Sequence, residues 1–442
     1  MAFRSGAGGG MIAVGEVPEW PIGRHWKCRV LARVPGVRIP PSPRVMCPVR
    51  AAGLAALTVP RTGPAVSTSV IRIEGDRDIA RRIAPAARAL RAGKLVAFPT
   101  ETVYGLGVVA TNRDAVERLR QVKDRPESPF TVHIPHPDQV YRFVKDVPPR
   151  ARTLIQKAWP GPLTLLLPVD PHLADPEYRD RELYQALCPG GVIGVRCPDE
   201  PVCRLLLERA SLRGKGRGPV IASSANLAGR RPPISGDDVL EQLADRIDLL
   251  VDAGPTRYRN ASTIVAVEGP NLRVVREGVY DAAAIERMAR RLIVFVCTGN
   301  TCRSPMAAGI ARHLLAERLG VGSGELGGLG LEVQSAGLFA GDGARATPEA
   351  RQAAAELGVD LGPHRSRKLT DELIQAADVI FCMTTGHAEE VRRRVPSAGG
   401  WALALDPEGD IADPIGSGVD TYVKVARRMA WALRRRMKEN ML

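Results

Sequence analysis

The sequence is poor in aromatic side chains, which make up 4% of its 442 residues. Base-stacking nucleic-acid platforms rely on such rings, so that design is not expected here. The chain has eight cysteines but no Cys-x2-Cys pair and no Cys/His spacing of a zinc site, so neither a disulfide scaffold nor a bound metal is expected. Cysteines used this way fit a reducing compartment, and a cytoplasmic protein is the expectation. No run approaches the roughly 18 apolar residues that a membrane-spanning helix needs. The first residues hold Arg4 and several glycines without a compact apolar stretch, so no secretory leader is expected.

What is present is an ordinary globular balance, 45% hydrophobic and 25% charged, long enough for two or three domains. The formal charge of +14 suggests a nucleic-acid partner until it is mapped along the chain. Residues 1–70 carry nine Lys/Arg against two acids, which is half of that excess. In residues 1–69 no apolar period lasts two helical turns, and Gly, Pro and Arg punctuate the stretch. It reads as a disordered basic extension. Val37-Arg38-Ile39-Pro40 is also what the T-arm of a tRNA gene would spell if translated, which points to a true start further along.

From about Val70 the pattern becomes alternating α/β. Ile79, Ile83, Ala86, Ala87 and Leu90 recur at helical spacing, and Gly93 follows as a helix stop. Leu95–Phe98, Leu163–Leu167, Val192–Val195, Val220–Ala222 and Ile264–Val267 read as strands. Near Arg290 the pattern restarts, dividing the chain into 70–281, a short helical linker at 282–291, and 292–442. The second unit opens with the buried strand Leu292–Val296, then Cys297-Thr298-Gly299-Asn300-Thr301-Cys302-Arg303-Ser304-Pro305, then a helix with Ile310, Leu314, Leu315 and Leu319 on one face. A strand, a glycine-bearing loop and a helix N-terminus in that order predict a Rossmann-like parallel sheet covered by helices.

That loop suits phosphate-ester chemistry. Its amides and the helix dipole would converge on an anion and favour the thiolate of Cys297. Arg303 can grip phosphate oxygens in bidentate fashion. Ser304 can donate to the thiolate, and Asn300 can hold the loop. A proton donor for the leaving group is found in Asp413, with Asp406-Pro407 as a competing Asp-Pro pair. Residues 292–442, with Ser335-Ala336-Gly337 and the late Asp-Pro loop, closely resemble the low-molecular-weight protein tyrosine phosphatase family. The resemblance implies a cysteinyl-phosphate intermediate, no metal, Cys297 as nucleophile, Arg303 as phosphate binder and Asp413 as general acid. The substrate it implies is a phosphoprotein. Thr301 stands where tyrosine-specific members carry a bulky aliphatic residue, and a threonine there is similar to bacterial protein arginine phosphatases. Ile415 departs from the phenylalanine those enzymes have after Asp-Pro. Phosphoarginine is favoured over phosphotyrosine.

The first unit has an ordered set of short segments in place of one dominant motif. Pro99-Thr100-Glu101-Thr102-Val103-Tyr104-Gly105 supplies hydroxyls and a turn, and Lys123-Asp124-Arg125 supplies two cations. Arg196 ends a strand, Ser223-Ser224-Ala225-Asn226 follows another, and Ser262-Thr263 and Arg276-Glu277-Gly278 complete the set. Lys123, Arg125, Arg196 and Arg276 can neutralise a polyphosphate. Ser224, Asn226 and Ser262 can fix ribose or phosphate oxygens, and Thr100 and Thr102 can grip a small polar substrate. Each segment alone is a common surface or capping pattern. Their order closely resembles the YrdC-like threonylcarbamoyl-AMP synthase family over about 72–280.

This second resemblance implies a twisted α/β sheet around a basic cavity. It also implies a reaction of L-threonine, bicarbonate and ATP that yields threonylcarbamoyl-AMP and pyrophosphate for tRNA modification. It puts Thr100 and Thr102 on the threonine-binding segment, and Lys123, Arg125, Ser224, Asn226, Ser262 and Arg276 on nucleotide-binding segments. His133 and Arg196 fall on polar cavity positions. Mg²⁺ would arrive with ATP, since no dedicated carboxylate cage is evident. Other readings share these residues. The first half could be a double-stranded-RNA, tRNA or nucleotide-binding module alone, which threonine-dependent pyrophosphate release would rule out. The second could be a thiol-redox or arsenate-reductase-like domain, for which only Cys302 and Cys382 offer an electron relay.

Overall fold

The computed structural model describes residues 67–75, 78–124, 129–170, 183, 187–211 and 218–439. The expectation for the N-terminal extension therefore lies, up to residue 66, outside the described residues, as does that for Arg125.

The first half is built on a ten-stranded mixed sheet. Its strands are β1 (Ser69–Arg72), β2 (Val96–Phe98), β3 (Gly105–Val109), β4 (Thr131–His133), β5 (Leu163–Pro168), β6 (Val192–Arg196), β7 (Val220–Ser224), β8 (Leu249–Asp252), β9 (Thr263–Glu268) and β10 (Asn271–Arg276). Their order across the sheet is β1-β8-β2-β3-β7-β4-β6-β5-β9-β10. The central strands are apolar on both faces: every residue of β2 and β3 is buried. That pattern requires cover on each side. One face packs with the helices Arg113–Lys123 and Pro149–Ala158, and the other with Ala84–Arg91 and Pro201–Ser211. The predicted helix from Asp78 to Leu90 forms as two pieces, Ile79–Arg82 and Ala84–Arg91, with Pro85 in the first turn of the second. Gly93 takes the left-handed conformation (φ +76°) that a helix stop requires.

The second half is a four-stranded, all-parallel sheet in the order β12-β11-β13-β14. Here β11 is Arg291–Cys297, β12 Leu331–Gly337, β13 Val379–Cys382 and β14 Ala402–Ala404. Strand β11 lies between two parallel neighbours, which is why it reads as one unbroken apolar run. Its carboxyl end delivers Cys297 directly ahead of the helix Arg303–Leu319.

Residues 282–291 are ordered structure. The helix Ala282–Met288, capped by Asp281, buries Ala284, Ile285 and Met288 in the core of the first half, and β11 starts at Arg291. Polar contacts join the halves beside it. Lys157 Nζ sits 2.8 Å from Asp378 Oδ1, and Arg291 Nη1 donates to Gln156 Oε1 at 2.9 Å. Among the described residues, no helix is long and apolar enough to cross a membrane.

Candidate active sites

The loop after β11 is a closed hydrogen-bonded ring around a sulfur atom. Cys297 is buried, with Sγ 3.0 Å from Ser304 Oγ and accepting from the Asn300 amide at 3.3 Å. Asn300 adopts a left-handed backbone (φ +55°), a conformation that Asn tolerates better than most residues. Its side chain sets the loop's shape: Nδ2 donates to Ser304 Oγ at 2.9 Å and to Ser335 Oγ at 3.0 Å, while Oδ1 accepts from the Arg367 amide at 2.9 Å. The Asn300 carbonyl accepts from His364 Nε2 at 2.7 Å. Gly337 is required by close approach, because a Cβ there would lie 2.6 Å from the Thr298 oxygen. Ser335-Ala336-Gly337 thus acts as the floor against which the loop is pressed.

Arg303 is buried at the first turn of its helix. It donates to the Ile411 carbonyl at 3.2 Å and forms an ion pair with Asp413, whose carboxylate is half-exposed. The competing Asp406 is 1% exposed and pairs with Arg428 on the last helix, Val419–Lys438, so it is tied into the scaffold. Thr301 holds the helix Pro348–Ala355 near the loop by accepting the Thr347 amide at 3.1 Å. Cys302 Sγ is 3.4 Å from the Tyr422 hydroxyl. Burial pushes the Cys382 thiol up to about 12, so that sulfur stays protonated and unreactive at neutral pH.

His364, His387 and Phe339 at this site carried no sequence signal. His387 bridges the loop to the next helix, with Nε2 2.9 Å from Thr298 Oγ1 and Nδ1 2.9 Å from Thr384 Oγ1. Burial, then the charge of Arg303, hold its pKa below the ordinary histidine value. Phe339 and Ile415 are large apolar side chains exposed beside the loop, at 76% and 68%. Phe339 N donates to the Thr298 carbonyl of the loop at 2.9 Å, and Ile415 N donates at 3.3 Å to Oδ1 of Asp413, the partner of Arg303.

The residues singled out in the first half form three groups. In the first, Lys123 is 1% exposed, and its ammonium donates to the Ser224 carbonyl at 2.7 Å, to Asn226 Oδ1 at 3.2 Å and to the Asn226 carbonyl. In the second, Arg196 Nη2 reaches Thr102 Oγ1 at 2.6 Å, Thr100 Oγ1 at 3.4 Å and Glu101 Oε1 at 2.9 Å. In the third, Ser262 Oγ is 3.0 Å from Thr164 Oγ1 and accepts from Arg276 Nη2 at 3.3 Å.

Strand register links the second and third groups. Arg196 on β6 lies between His133 on β4 and Thr164 on β5. The first group connects through the backbone of the 99–104 loop, where Gly105 pairs with Ser224 and the Ala225 amide donates to the Tyr104 carbonyl at 2.8 Å. Burial, reinforced by the Arg196 charge, pushes His133 down to about 3, so it serves as a neutral imidazole. Among the described residues no three His, Cys, Asp or Glu side chains gather as a metal ion would need.

Comparison with known proteins divides the chain at the same place. A family model described as low molecular weight phosphotyrosine protein phosphatase matches residues 292–440. The protein-arginine-phosphatase of Geobacillus stearothermophilus is 38% identical over 135 residues, 29% of this chain and 82% of that protein. A family model described as telomere recombination matches residues 88–278. The threonylcarbamoyl-AMP synthase of Marinobacter nauticus is 33% identical over 187 residues, 42% of this chain and 91% of that protein.

The chain belongs to both families.

The synthase-family half also matches the threonylcarbamoyl-AMP synthase of Bacillus subtilis, at 34% identity over 230 residues and 52% of this chain, but spans only 62% of that relative's length. The phosphatase-family half begins within four residues of the helix that closes the synthase-family core.

Proposed function

We propose that the chain is a bifunctional enzyme: a threonylcarbamoyl-AMP synthase joined to a cysteine-dependent protein phosphatase with a preference for phosphoarginine. The observation that carries the phosphatase reading is the sulfur of Cys297, held by the Ser304 hydroxyl and the Asn300 amide at the mouth of a helix. In this mechanism the thiolate attacks phosphorus, and an S–P bond forms as the bond to the leaving group breaks. Arg303 exchanges its pairing with Asp413 for the phosphate oxygens, a stronger bidentate match. Asp413, freed of that cation, takes up a proton from solvent and donates it to the leaving group. Water then cleaves the S–P bond, with Ser304 stabilising the departing thiolate. Thr301 favours the slim guanidinium phosphate, and the exposed Phe339 and Ile415 offer apolar contact to the chain that carries it.

In the synthase half, threonine carbamate attacks the α-phosphate of ATP and displaces pyrophosphate. Charge builds on the phosphates, and the work of the protein is positioning and neutralisation. Lys123, Ser224 and Asn226 act as one unit on the nucleotide, joined by Arg125, and Ser262 with Arg276 acts as another. Thr100 and Thr102 hold threonine. His133, neutral, and Arg196 line the cavity. Mg²⁺ enters as part of the nucleotide, and the product serves tRNA modification. Two assays on the full chain test the proposal: pyrophosphate release that requires both L-threonine and bicarbonate, and turnover of phosphoarginine against phosphotyrosine at equal concentration. Pyrophosphate release without threonine, or faster turnover of phosphotyrosine, contradicts the respective half.

A further inference from the structure

The synthase half contains an ion pair left half-made. Glu101 is 2% exposed and Arg196 6%. They meet through a single contact, Arg196 Nη2 to Glu101 Oε1 at 2.9 Å, rather than through the two-pronged geometry a guanidinium and a carboxylate usually adopt. The other carboxylate oxygen, Glu101 Oε2, is buried with no hydrogen-bond partner, and Arg196 Nε is likewise buried and unpartnered. Burying a charged acceptor and a charged donor without partners costs several kcal/mol, so two such atoms on one ion pair point to a group that completes them.

The surroundings narrow what that is. Thr100 and Thr102 hydroxyls touch the same Arg196 nitrogen that holds Glu101 Oε1, so the carboxylate shares one cluster with the two hydroxyls proposed to hold the small substrate. Glu101 Oε2 calls for a donor with positive charge and Arg196 Nε for an acceptor with negative charge. A zwitterion supplies both without adding net charge to the pocket.

We propose that Glu101 is the ammonium-binding residue of the amino-acid subsite: Oε2 takes the α-ammonium of the substrate amino acid and Arg196 Nε takes its α-carboxylate. This rests on the synthase reading and deepens it. Glu101 thereby selects a free α-amino acid over an acylated or deaminated one.

The test is steady-state pyrophosphate release by the full chain with Glu101→Gln and Glu101→Asp. A charged hydrogen bond of this kind is worth about 10- to 100-fold in binding. Glu101→Gln should raise the KM for L-threonine by about that factor while the KM for ATP stays within about twofold, and Glu101→Asp should recover part of the loss. An unchanged threonine KM, or threonine and ATP values rising together, overturns the assignment. A measurement on the unaltered chain guards against a variant that fails to fold. L-threonine should raise the thermal midpoint, and N-acetyl-L-threonine, which keeps the carboxylate and hydroxyl but lacks the ammonium, should not. Equal shifts overturn the proposal. Should the unaltered chain release no pyrophosphate and gain no stability from L-threonine, the synthase reading itself fails and the proposal falls with it.

Discussion

The two sites solve opposite problems. On the proposed reading the phosphatase-family loop takes one compact dianion, and most of its groups come from Cys297–Ser304, with Asp413 added from a later loop. That loop is satisfied by the surrounding protein: Asn300 alone bonds to Ser304 inside it and to Ser335 and the Arg367 amide outside it. The proposed synthase site would take a nucleotide and a small zwitterion, and its side chains come from segments spread between Thr100 and Arg276. It keeps buried atoms unpaired at Glu101 and Arg196. A site for one small anion can be prebuilt as a rigid ring. A site for several partners stores its recognition in groups that are completed only on binding.

The largest expected effect falls on the rigid ring. Arg303→Ala should lower turnover of an aryl phosphate by about 10²–10³-fold, because it removes the principal donor to the developing charge. A loss under tenfold would mean that the loop amides suffice without it. Thr301→Ile is next. It should move the ratio of phosphoarginine to phosphotyrosine turnover by about tenfold toward phosphotyrosine, the scale on which one pocket side chain discriminates. An unmoved ratio would assign selectivity elsewhere, with Phe339 and Ile415 the first residues to examine. The smallest effect concerns the seam. Lys157 and Asp378, each about a quarter exposed, pair across the two halves. A double-mutant cycle on Lys157→Ala and Asp378→Ala, followed by denaturant unfolding, should give a coupling of about 1 kcal/mol or less. A much larger value would mean that the halves do not stand as separately stable units.

The difference between the sites also decides what the sequence could reveal. The phosphatase loop was legible because its chemistry is local: strand, Cys-x5-Arg and helix follow one another, and the parallel sheet follows from that order. Its histidine supports were not legible. His364 and His387 reach the loop across more than sixty residues of chain, and an isolated histidine has no spacing to mark it. Phe339 looks like any core aromatic until its 76% exposure is known. In the synthase half the strands at Leu163, Val192, Val220 and Ile264 were readable from apolar runs. The sheet order was not, because neighbours such as β3 and β7 are more than a hundred residues apart. Glu101 stands between Thr100 and Thr102 with no spacing that marks it. A carboxylate amid hydroxyls becomes informative only once the structure puts it at 2% exposure with one oxygen unpaired.

The claim beneath both halves is that one chain carries two independent active sites. It is tested most directly by a crossed assay: pyrophosphate release and phosphatase turnover measured side by side on the unaltered chain, on Cys297→Ser and on Lys123→Ala. Reciprocal loss is predicted, with Cys297→Ser silent as a phosphatase and unimpaired as a synthase, and Lys123→Ala the reverse. Loss of both activities in the folded Cys297→Ser chain would contradict it.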